Sequence, residues 1–515
     1  MKLARRLAAM AWPGPDERRL MGRFYVAIGL SRALYLIFPF QFAYLYLAMD
    51  APAWAVIPLM AASATSLAMQ LPTGALADRW SRKASVLLGG ALTAVAMAAV
   101  PWAVRLPGGW QLAMASVAFS VSGLGETMMA GAQEAWVVDN LHRSGRKDLV
   151  DAFFARAFAV TAAGGVVSGA LALVLLVTRP VDRGLLDLLW YATGAGFVVA
   201  VGVAAGIREE RVEPATGPGG EPVAAIGLWR RMGAAVVALV RRRSLLLLTV
   251  AVVIAALSGA AADEAFPVAL LTKGLDARVL APLGIAGDLL GAVAPVVGLM
   301  LARRIGPEPL LTLTMVAIGL SVSVLFAWRS LGVVIVLFVL LGFLDQIWDP
   351  VSLARMQDDI PSEHRAAMSS IVYQANGLAQ LVGLGLFALL LGQHGAQLRD
   401  ATPDLIDAFS GHTHVNAPVP TGLLGLPVPD LAVLVFVLAG VAAIPFVVLS
   451  TRARRRAGSI GGPTGGSTGG PAGVPTGGPG AAQRAERPCP EMAPPLTLNG
   501  GQDGSADDVD GGRRR

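Results

Sequence analysis

Five ionisable residues lie inside long apolar stretches of this sequence: Arg32, Glu126, Asp263, Glu264 and Asp345. A charged side chain at the middle of a lipid bilayer costs at least about 2.5–3.5 kcal/mol, so such residues usually face a polar cavity. A carboxylate in a cavity, with an arginine nearby, can bind and release protons. These residue types therefore indicate a proton-exchanging site within a membrane.

Two of these acids are the best candidates for carrying a proton. A carboxylate in a dry cavity favours its neutral form, and a nearby guanidinium such as that of Arg32 favours the ionised form. We predict that Glu126 and Asp345 carry the proton, whereas Asp263 and Glu264 lie nearer the outer end of their helix. The second choices are Asp288, Gln346 and Asp349. The alternative for each acid is a purely structural ion pair or helix contact.

The composition of the chain suits lipid as its solvent. Of its 515 residues, 55% are hydrophobic and only 15% are charged, and the mean hydropathy is +0.61. The formal net charge of +6 comes from short basic runs between apolar ones, which argues against a nucleic-acid surface. The single cysteine, Cys489, lies in a Pro/Gly-rich tail, so an intramolecular disulfide and a cysteine-based metal site are excluded.

Twelve apolar runs are long enough to cross a bilayer as helices. A crossing helix needs about 20 apolar residues, because the hydrocarbon core is about 30 Å thick and tolerates no unpaired backbone group. The runs span residues 24–48, 54–77, 85–104, 111–136, 152–178, 185–207, 244–271, 279–302, 309–328, 332–354, 369–393 and 430–450. The sequence therefore predicts an all-α integral membrane protein with twelve transmembrane helices.

The basic residues sort the connections into two sides. Lys and Arg collect before the first run, in alternate connections after it, in the central linker and after the last run, while the other connections hold scattered cations such as Arg105 and Arg179. Cytoplasmic loops are enriched in Lys and Arg. We therefore expect a multi-pass protein of the cell (plasma) membrane with both termini in the cytoplasm. The apolar run that follows Arg23 is too long for a cleavable signal peptide.

The runs group into two halves joined by a polar linker. The predicted segments are an N-terminal cytoplasmic segment 1–23, a six-helix bundle 24–207, a cytoplasmic linker 208–243, a second six-helix bundle 244–450 and a cytoplasmic tail 451–515. The linker contains a basic amphipathic stretch, which fits either a helix on an anionic leaflet or an ordinary topogenic linker. The tail consists of Gly/Pro/Thr/Ser repeats and is expected to be disordered.

The two halves share a weak internal repeat. Gly123-Leu124-Gly125-Glu126 aligns with Gly342-Phe343-Leu344-Asp345, and Asp139-Asn140-Leu141 aligns with Asp358-Asp359-Ile360 at the same offset. Repeats of this kind are typical of transporters with two related bundles.

The most specific local pattern joins the second and third runs. Its ten residues read Gly74-Ala75-Leu76-Ala77-Asp78-Arg79-Trp80-Ser81-Arg82-Lys83. Gly74 permits close helix approach, Asp78 can cap and charge-pair at the membrane edge, and the basic residues hold the loop in the cytoplasm. The decapeptide resembles the loop motif of the major facilitator superfamily, G-x-L-x-D-R-x-G-R-K/R, except that Ser81 replaces its second glycine.

The resemblance covers roughly residues 20–452 and implies the fold of that superfamily: two six-helix bundles with pseudo-twofold symmetry. It implies a cavity lined chiefly by spans one, four, seven and ten, where the five ionisable residues lie. It also implies that Asp78 meets span eleven near Ser369 and that Arg82 pairs with Asp139, both contacts latching the cytoplasmic gate. The gating set is Gly74, Asp78, Arg79, Arg82, Lys83 and Asp139, and a degraded second motif lies at Gly298, Arg303, Arg304 and Gly306. The alternative is a loop that only sets topology.

The fifth run helps to choose among transporters of this superfamily. Proton-driven drug exporters typically carry G-x-x-x-G-P-x-x-G-G there, and here the run reads Ala163-Gly164-Gly165-Val166-Val167-Ser168-Gly169, without the proline. We predict a drug-efflux-like antiporter that exports small amphipathic compounds as protons enter. Aromatic and amide side chains that could line its site are Tyr35, Phe38, Phe40, Gln41, Trp348, Tyr373, Gln374 and Asn376.

The sequence leaves other functions open. The chain could take up an anionic metabolite, with Arg32 binding its carboxylate, or could be a transporter-shaped receptor without flux. An enzyme is not expected, because the sequence has no nucleotide-binding loop, nucleophile elbow or His-rich metal motif. Acids and histidines in the loop 394–429 are too loosely spaced for a metal, so neither metal nor cofactor is predicted. The expected partners are a small-molecule substrate, protons and membrane lipids, with no nucleic acid, for a monomeric protein.

Overall fold

The computed structural model describes residues 14–49, 54–209, 233, 236–272, 276–327, 331–359, 365–392, 409 and 440–460. This part of the chain is helical and contains no strand. The predictions made for the loop 394–429, for most of the linker and for the tail after residue 460 lie outside the described residues.

Six helical stretches form the first half of the chain. They are α1 (Pro15–Ala33), continued by a 3-10 turn (Phe38–Phe40) into α2 (Gln41–Ala48), then α3 (Ile57–Arg79), α4 (Arg82–Ala103), α5 (Gly109–Arg143), α6 (Val150–Thr178) and α7 (Arg183–Ala205). A further 3-10 turn (Lys147–Leu149) precedes α6. Within this half, α4 packs on α5 and α7, α3 packs on α5, and α1 packs on α6 and α7.

Six more helices lie in the described part of the second half. They are α8 (Arg243–Thr272), α9 (Leu280–Ile305), α10 (Pro307–Ala327), α11 (Leu331–Asp359), α12 (Arg365–Gly392) and α13 (Ile444–Ile460), with a 3-10 turn (Ala277–Val279) before α9. Here α8 packs on α12 and α13, and α11 packs on α9 and α10. The halves meet where α6 packs on α9 and where α3 packs on α12.

The described helices fall on the twelve apolar runs, so the predicted fold class of an all-α membrane protein is confirmed. Eight helical stretches are long and apolar enough to cross a membrane, and three further helices contain shorter apolar segments, at Pro307–Ile318, Ile335–Trp348 and Ile444–Ala453. Among the described residues, eight of the twelve predicted crossings are therefore supported by length and composition, and the count of twelve stays a prediction. Two ends differ from the prediction: α1 begins as early as Pro15, and α13 runs to Ile460, ten residues into the segment expected to be disordered.

The first span is not one continuous helix. α1 ends at Ala33, and the chain passes through a 3-10 turn that contains Pro39 before α2 begins. Neighbouring helices satisfy backbone groups that the break releases: the hydroxyl of Ser168 on α6 donates to the carbonyl of Tyr35 at 2.8 Å, and the amide of Ile37 donates to the hydroxyl of Thr193 on α7 at 3.4 Å. Broken helices in transporters are tolerated where they line a cavity.

The direction of the helices defines two ends of the protein. We call the end that carries Pro15, Arg143 and Arg304 the basic end, and the end that carries Trp110 and Leu280 the opposite end. At the opposite end one apolar cluster joins both halves, with Phe40 and Tyr46 of the first half beside Phe387 and Leu391 of the second.

At the basic end the described apolar residues form two separate clusters, one in each half. Trp136 and Phe24 belong to the cluster of the first half, and Trp348 and Leu311 belong to that of the second. The chamber between the halves is therefore closed at the opposite end, and the halves are parted at the basic end.

Candidate functional site

A cavity of about 920 Å³ lies between the two halves. Helices of both halves line it, and its polar wall includes Arg32, Glu126, Glu264, Asp288 and Asp345. The break in the first span also lines the cavity, through Tyr35, Phe38 and Pro39. A chamber of this size, mostly apolar with a few convergent charged groups, has the character of a small-molecule site.

The guanidinium of Arg32 is held in this chamber by the second half of the protein. Its Nη2 lies 3.2 Å from Oδ1 of Asp288 on α9, and its side chain is 18% exposed against 22% for the aspartate. The same guanidinium lies 4.0 Å above the ring of Phe38, an arrangement that stabilises a cation. The pair therefore joins the two halves across the cavity, and sequence reasoning had placed Asp288 only among the second choices.

Two adjacent glycines of α6 make room for this ion pair. A Cβ on Gly164 would come 2.9 Å from Cβ of Arg32, and a Cβ on Gly165 would overlap the carboxylate of Asp288. Both glycines are buried. The sequence analysis interpreted the glycine-rich fifth span as half of an antiporter motif. The structure shows that two of its glycines leave the space that Arg32 and Asp288 occupy, which the sequence did not reveal.

Glu126 faces the cavity from the middle of α5. Its carboxylate is solvent-exposed through the chamber, and the hydroxyl of Ser122 one turn earlier donates to it at 3.4 Å. Gly125 next to it is packed against Thr93 and Gly89 of α4, so a larger side chain would have no space there. This close helix contact fixes the rotation of α5 that points Glu126 inward.

The remaining predicted acids lie on helices of the second half. Glu264 on α8 and Asp345 on α11 line the cavity, and so does Gln346. The side chains of Asp263 and Asp349 are outside the described residues. The structure thus brings Arg32, Glu126, Glu264 and Asp345 to one chamber, while their part in coupling stays a prediction.

Hydrogen bonds that cap helix ends hold the loop between α3 and α4. Ser81 has φ −173°, an extended conformation open to any residue, and its hydroxyl accepts from the amide of Ala84 at 2.9 Å. The serine therefore caps α4, and the turn does not need the usual glycine. Lys83 caps the C-terminal end of α7, since its Nζ donates to the carbonyls of Ala205 and Ile207, each at 2.7 Å.

Gly74, at the start of the motif, has no close neighbour. A Cβ on Gly74 would meet no described atom within 4 Å, so the expected close helix approach at this glycine is absent in this conformation. The side chains of Asp78, Arg79 and Ser369 are outside the described residues, and the implied contact between Asp78 and Ser369 stays a prediction.

Arg82 and Asp139 form an ion pair between the start of α4 and the end of α5, and Arg82 also donates to the carbonyl of Ala135 at 2.9 Å. The second half carries a pair at the corresponding helix ends with the charges exchanged. There Glu308 at the start of α10 lies 2.7 Å from Nε of Arg355 near the end of α11, and the arginine side chain is fully buried. The sequence analysis missed this pair, because the second motif that it placed at Gly298, Arg303, Arg304 and Gly306 contains neither residue.

Two helical bundles around a polar chamber define the class of polytopic membrane transporters. The sequence profile of the Major Facilitator Superfamily matches residues 24–384, more than half of the chain. The chain belongs to the Major Facilitator Superfamily, and the resemblance inferred from the decapeptide is confirmed. The family points to a transporter and not to an enzyme.

Solved structures of several transporters share this fold. The nucleoside transporter NupG matches with a TM-score of 0.63 and 12% identity, covering 84% of this chain and 99% of its own. The D-xylose-proton symporter matches with a TM-score of 0.58 and 11% identity, covering 83% and 97%. A bacterial homologue of the iron transporter ferroportin, in an inward-facing state, matches with a TM-score of 0.57 and 15% identity, covering 83% and 98%.

No curated protein sequence matches the chain. At identities this low the solved structures establish the fold alone, and their named substrates range from nucleosides to sugars and metals. Because a sugar symporter is among them, the fold does not distinguish efflux from uptake, or antiport from symport.

Proposed function

We propose that the chain is a secondary active transporter that exports small amphipathic compounds in exchange for protons. The observation that carries the proposal is the position of the acids: Glu126 of the first half and Glu264, Asp288 and Asp345 of the second line one chamber. Acids that a ligand and a proton can both reach couple the movement of one to the movement of the other. No cofactor takes part in this exchange.

The chamber is open toward one end of the protein. It is sealed at the opposite end by an apolar cluster that joins both halves, and the halves carry separate clusters at the basic end. The positive-inside pattern favours the cytoplasmic side for the basic end and for both termini, and we propose that the helices lie in the plasma membrane. In this conformation the chamber faces the cytoplasmic side, where an exporter loads its substrate and an importer releases it.

In this proposal the motif loop and the two ion pairs at the helix ends stabilise each half separately. The pairs Arg82–Asp139 and Glu308–Arg355 each join two helices of the same half, are formed while the halves are parted at the basic end, and hold each half rigid. Each half then moves as one body, which is how alternating access operates in such bundles. The protein acts as a monomer, because a single chain supplies the whole chamber.

Uptake of an anionic metabolite is supported less well. That function requires Arg32 to bind a substrate carboxylate, and Arg32 is already paired with Asp288 at 3.2 Å. An anion would have to displace this carboxylate inside a chamber with three further acids. A receptor without flux stays as the rival from another class, and it requires a transport experiment.

Transport by the purified full-length chain in liposomes tests the proposal. Liposomes with an acidic lumen are offered a panel of fluorescent amphipathic compounds of positive, neutral and negative charge. We expect the pH gradient to drive accumulation of at least one compound above protein-free liposomes, and a proton ionophore to abolish it. Equilibration that ignores the pH gradient would contradict proton exchange, and the absence of any flux would favour a receptor.

A further inference from the structure

A second cavity lies inside the first half of the protein, toward its basic end. Its volume is about 160 Å³, and residues of α1, α4, α5 and α7 surround it. Among the described residues, none that lines this cavity also lines the chamber between the halves. A ligand here would contact one half only, so the cavity is a separate site from the transport chamber.

Small side chains leave this space open. Five of the lining residues are small: Ala27, Ser31, Gly90, Ala200 and Ala204. They lie on α1, α4 and α7. The last two of these helices cannot approach further to fill the gap, because a Cβ on Gly90 would already lie 2.5 Å from Cγ2 of Val201. The cavity is therefore a consequence of how these helices pack.

Three aromatic rings line the cavity. Phe24 of α1 and Trp136 of α5 contact each other edge to face, with ring centroids 4.9 Å apart, and Phe197 of α7 also lines it. All three side chains are buried. The indole N–H of Trp136 is already engaged, since it donates to the carbonyl of Arg208 at 3.4 Å. The rings thus offer apolar surface, against which another aromatic ring packs favourably.

One polar side chain in the lining has no hydrogen-bond partner among the described residues. It is Gln133 of α5, which is half-buried. The hydroxyl of Ser31, by contrast, donates to the carbonyl of Ile28 at 2.9 Å. A side-chain amide both donates and accepts hydrogen bonds, and its burial without a partner costs free energy. A hydroxyl or amino group on a ligand would supply the partner of Gln133.

A small aromatic molecule fits this cavity better than water does. An ordered internal water needs about two to four polar partners, whereas an apolar cavity of about 150 Å³ stays dry and binds benzene. Here the lining is mostly apolar, with the amide of Gln133 at one position. The volume of about 160 Å³ has room for one ring with a small substituent.

We propose that this cavity binds a small aromatic molecule that carries one hydrogen-bonding group, as a phenol does. The ring packs against Phe24 and Trp136, and the polar group pairs with the amide of Gln133. The site goes beyond the transport function and does not depend on it. Bound ligand fills an apolar gap and so stabilises the first half, while it leaves the chamber free for a substrate.

Two fluorinated probes of nearly the same shape test this inference. Fluorine NMR titration of the purified full-length protein in detergent measures saturable binding of para-fluorophenol and para-fluorotoluene, in which a hydroxyl replaces a methyl group. We expect both to bind the wild-type protein. Ala27→Leu fills the cavity and should weaken both by at least about tenfold. Val26→Leu is the matched control, because Val26 is the neighbour of Ala27 on α1 and is 50% exposed.

The amide allows a second, independent measurement. Gln133→Met keeps the length of the side chain and removes its donor and acceptor. We expect the affinity of para-fluorophenol relative to para-fluorotoluene to fall about fivefold, because one hydrogen bond is lost. This ratio decides the matter even if Ala27→Leu fails to fold.

The inference is overturned if neither probe binds saturably, if Ala27→Leu binds both as tightly as the wild-type protein, or if Gln133→Met leaves the ratio unchanged. Proton-driven accumulation in liposomes is measured separately, so a failure of this site leaves the transport proposal standing.

Discussion

Replacing Glu126 with Gln is expected to reduce proton-driven accumulation by at least about tenfold, a loss of about 1.4 kcal/mol or more in coupling free energy. The reason is geometric. Glu126 lies in the middle of α5, is exposed to the chamber and has the hydroxyl of Ser122 at 3.4 Å. An amide keeps the shape and the hydrogen bond, but it cannot bind and release a proton. Accumulation in liposomes with an acidic lumen measures the effect.

The same variant separates coupling from transport itself. Exchange of labelled for unlabelled compound at equal pH needs no net proton movement, so we expect Glu126→Gln to retain it. Glu134→Gln is the matched control, because Glu134 lies on the same helix, is exposed and does not line the chamber. Full proton-driven accumulation by Glu126→Gln would assign the proton to another acid, with Asp345 as the next choice.

Removing one partner of the Arg32–Asp288 pair is expected to cost about 1–3 kcal/mol of stability and most of the transport activity. Breaking a fully buried pair costs about 3–5 kcal/mol, because the remaining charge is left unpaired. These side chains keep 18% and 22% of their exposure, so water in the chamber lowers the cost. Thermal unfolding in detergent and accumulation in liposomes check the effect on Asp288→Asn and Arg32→Gln.

A double-mutant cycle shows whether the pair acts as a unit. The variant Arg32→Gln/Asp288→Asn removes both charges, and we expect its stability to recover most of what each single variant loses. Additive losses would mean that the two residues act independently and that their contact has no role in holding the halves together.

The pair can also be disturbed without altering a charge. A methyl group at Gly165 would overlap the carboxylate of Asp288, so Gly165→Ala must turn this side chain away from Arg32. We expect it to reproduce the transport defect of Asp288→Asn. Gly202→Ala on α7 is the control, since a Cβ there meets no described atom within 4 Å.

The helices were predictable because lipid imposes a simple rule on sequence. Each crossing segment needs a long apolar run, and the ends of α4 and α6 differ from the predicted runs by only a few residues. The break between α1 and α2 escaped notice, because residues 34–40 are as apolar as their flanks and only Pro39 indicates it. The hydroxyls that stabilise the break come from Ser168 and Thr193, far away in sequence.

The sequence predicted which residues line the candidate site, but it did not predict which of them form ion pairs. The cost of a charge in lipid singled out Arg32, Glu126, Glu264 and Asp345, and all four face one chamber. The partner of Arg32 could not be inferred, since Asp288 lies 256 residues further along the chain. The space for that partner depends on Gly165, whose role becomes visible only when α6 and α9 are packed.

Transport by this protein requires that the two halves close and open the chamber at alternate ends. Spin labels measure it most directly, placed after Cys489→Ser on Arg143→Cys with Arg304→Cys at the basic end, and on Trp110→Cys with Gly332→Cys at the opposite end. Addition of a compound that the liposome assay identifies as a substrate, or a change of pH, should shift the two distance distributions in opposite directions, shorter at the basic end and longer at the opposite end. Distances that stay fixed at both ends, or that change in the same direction, would contradict the account.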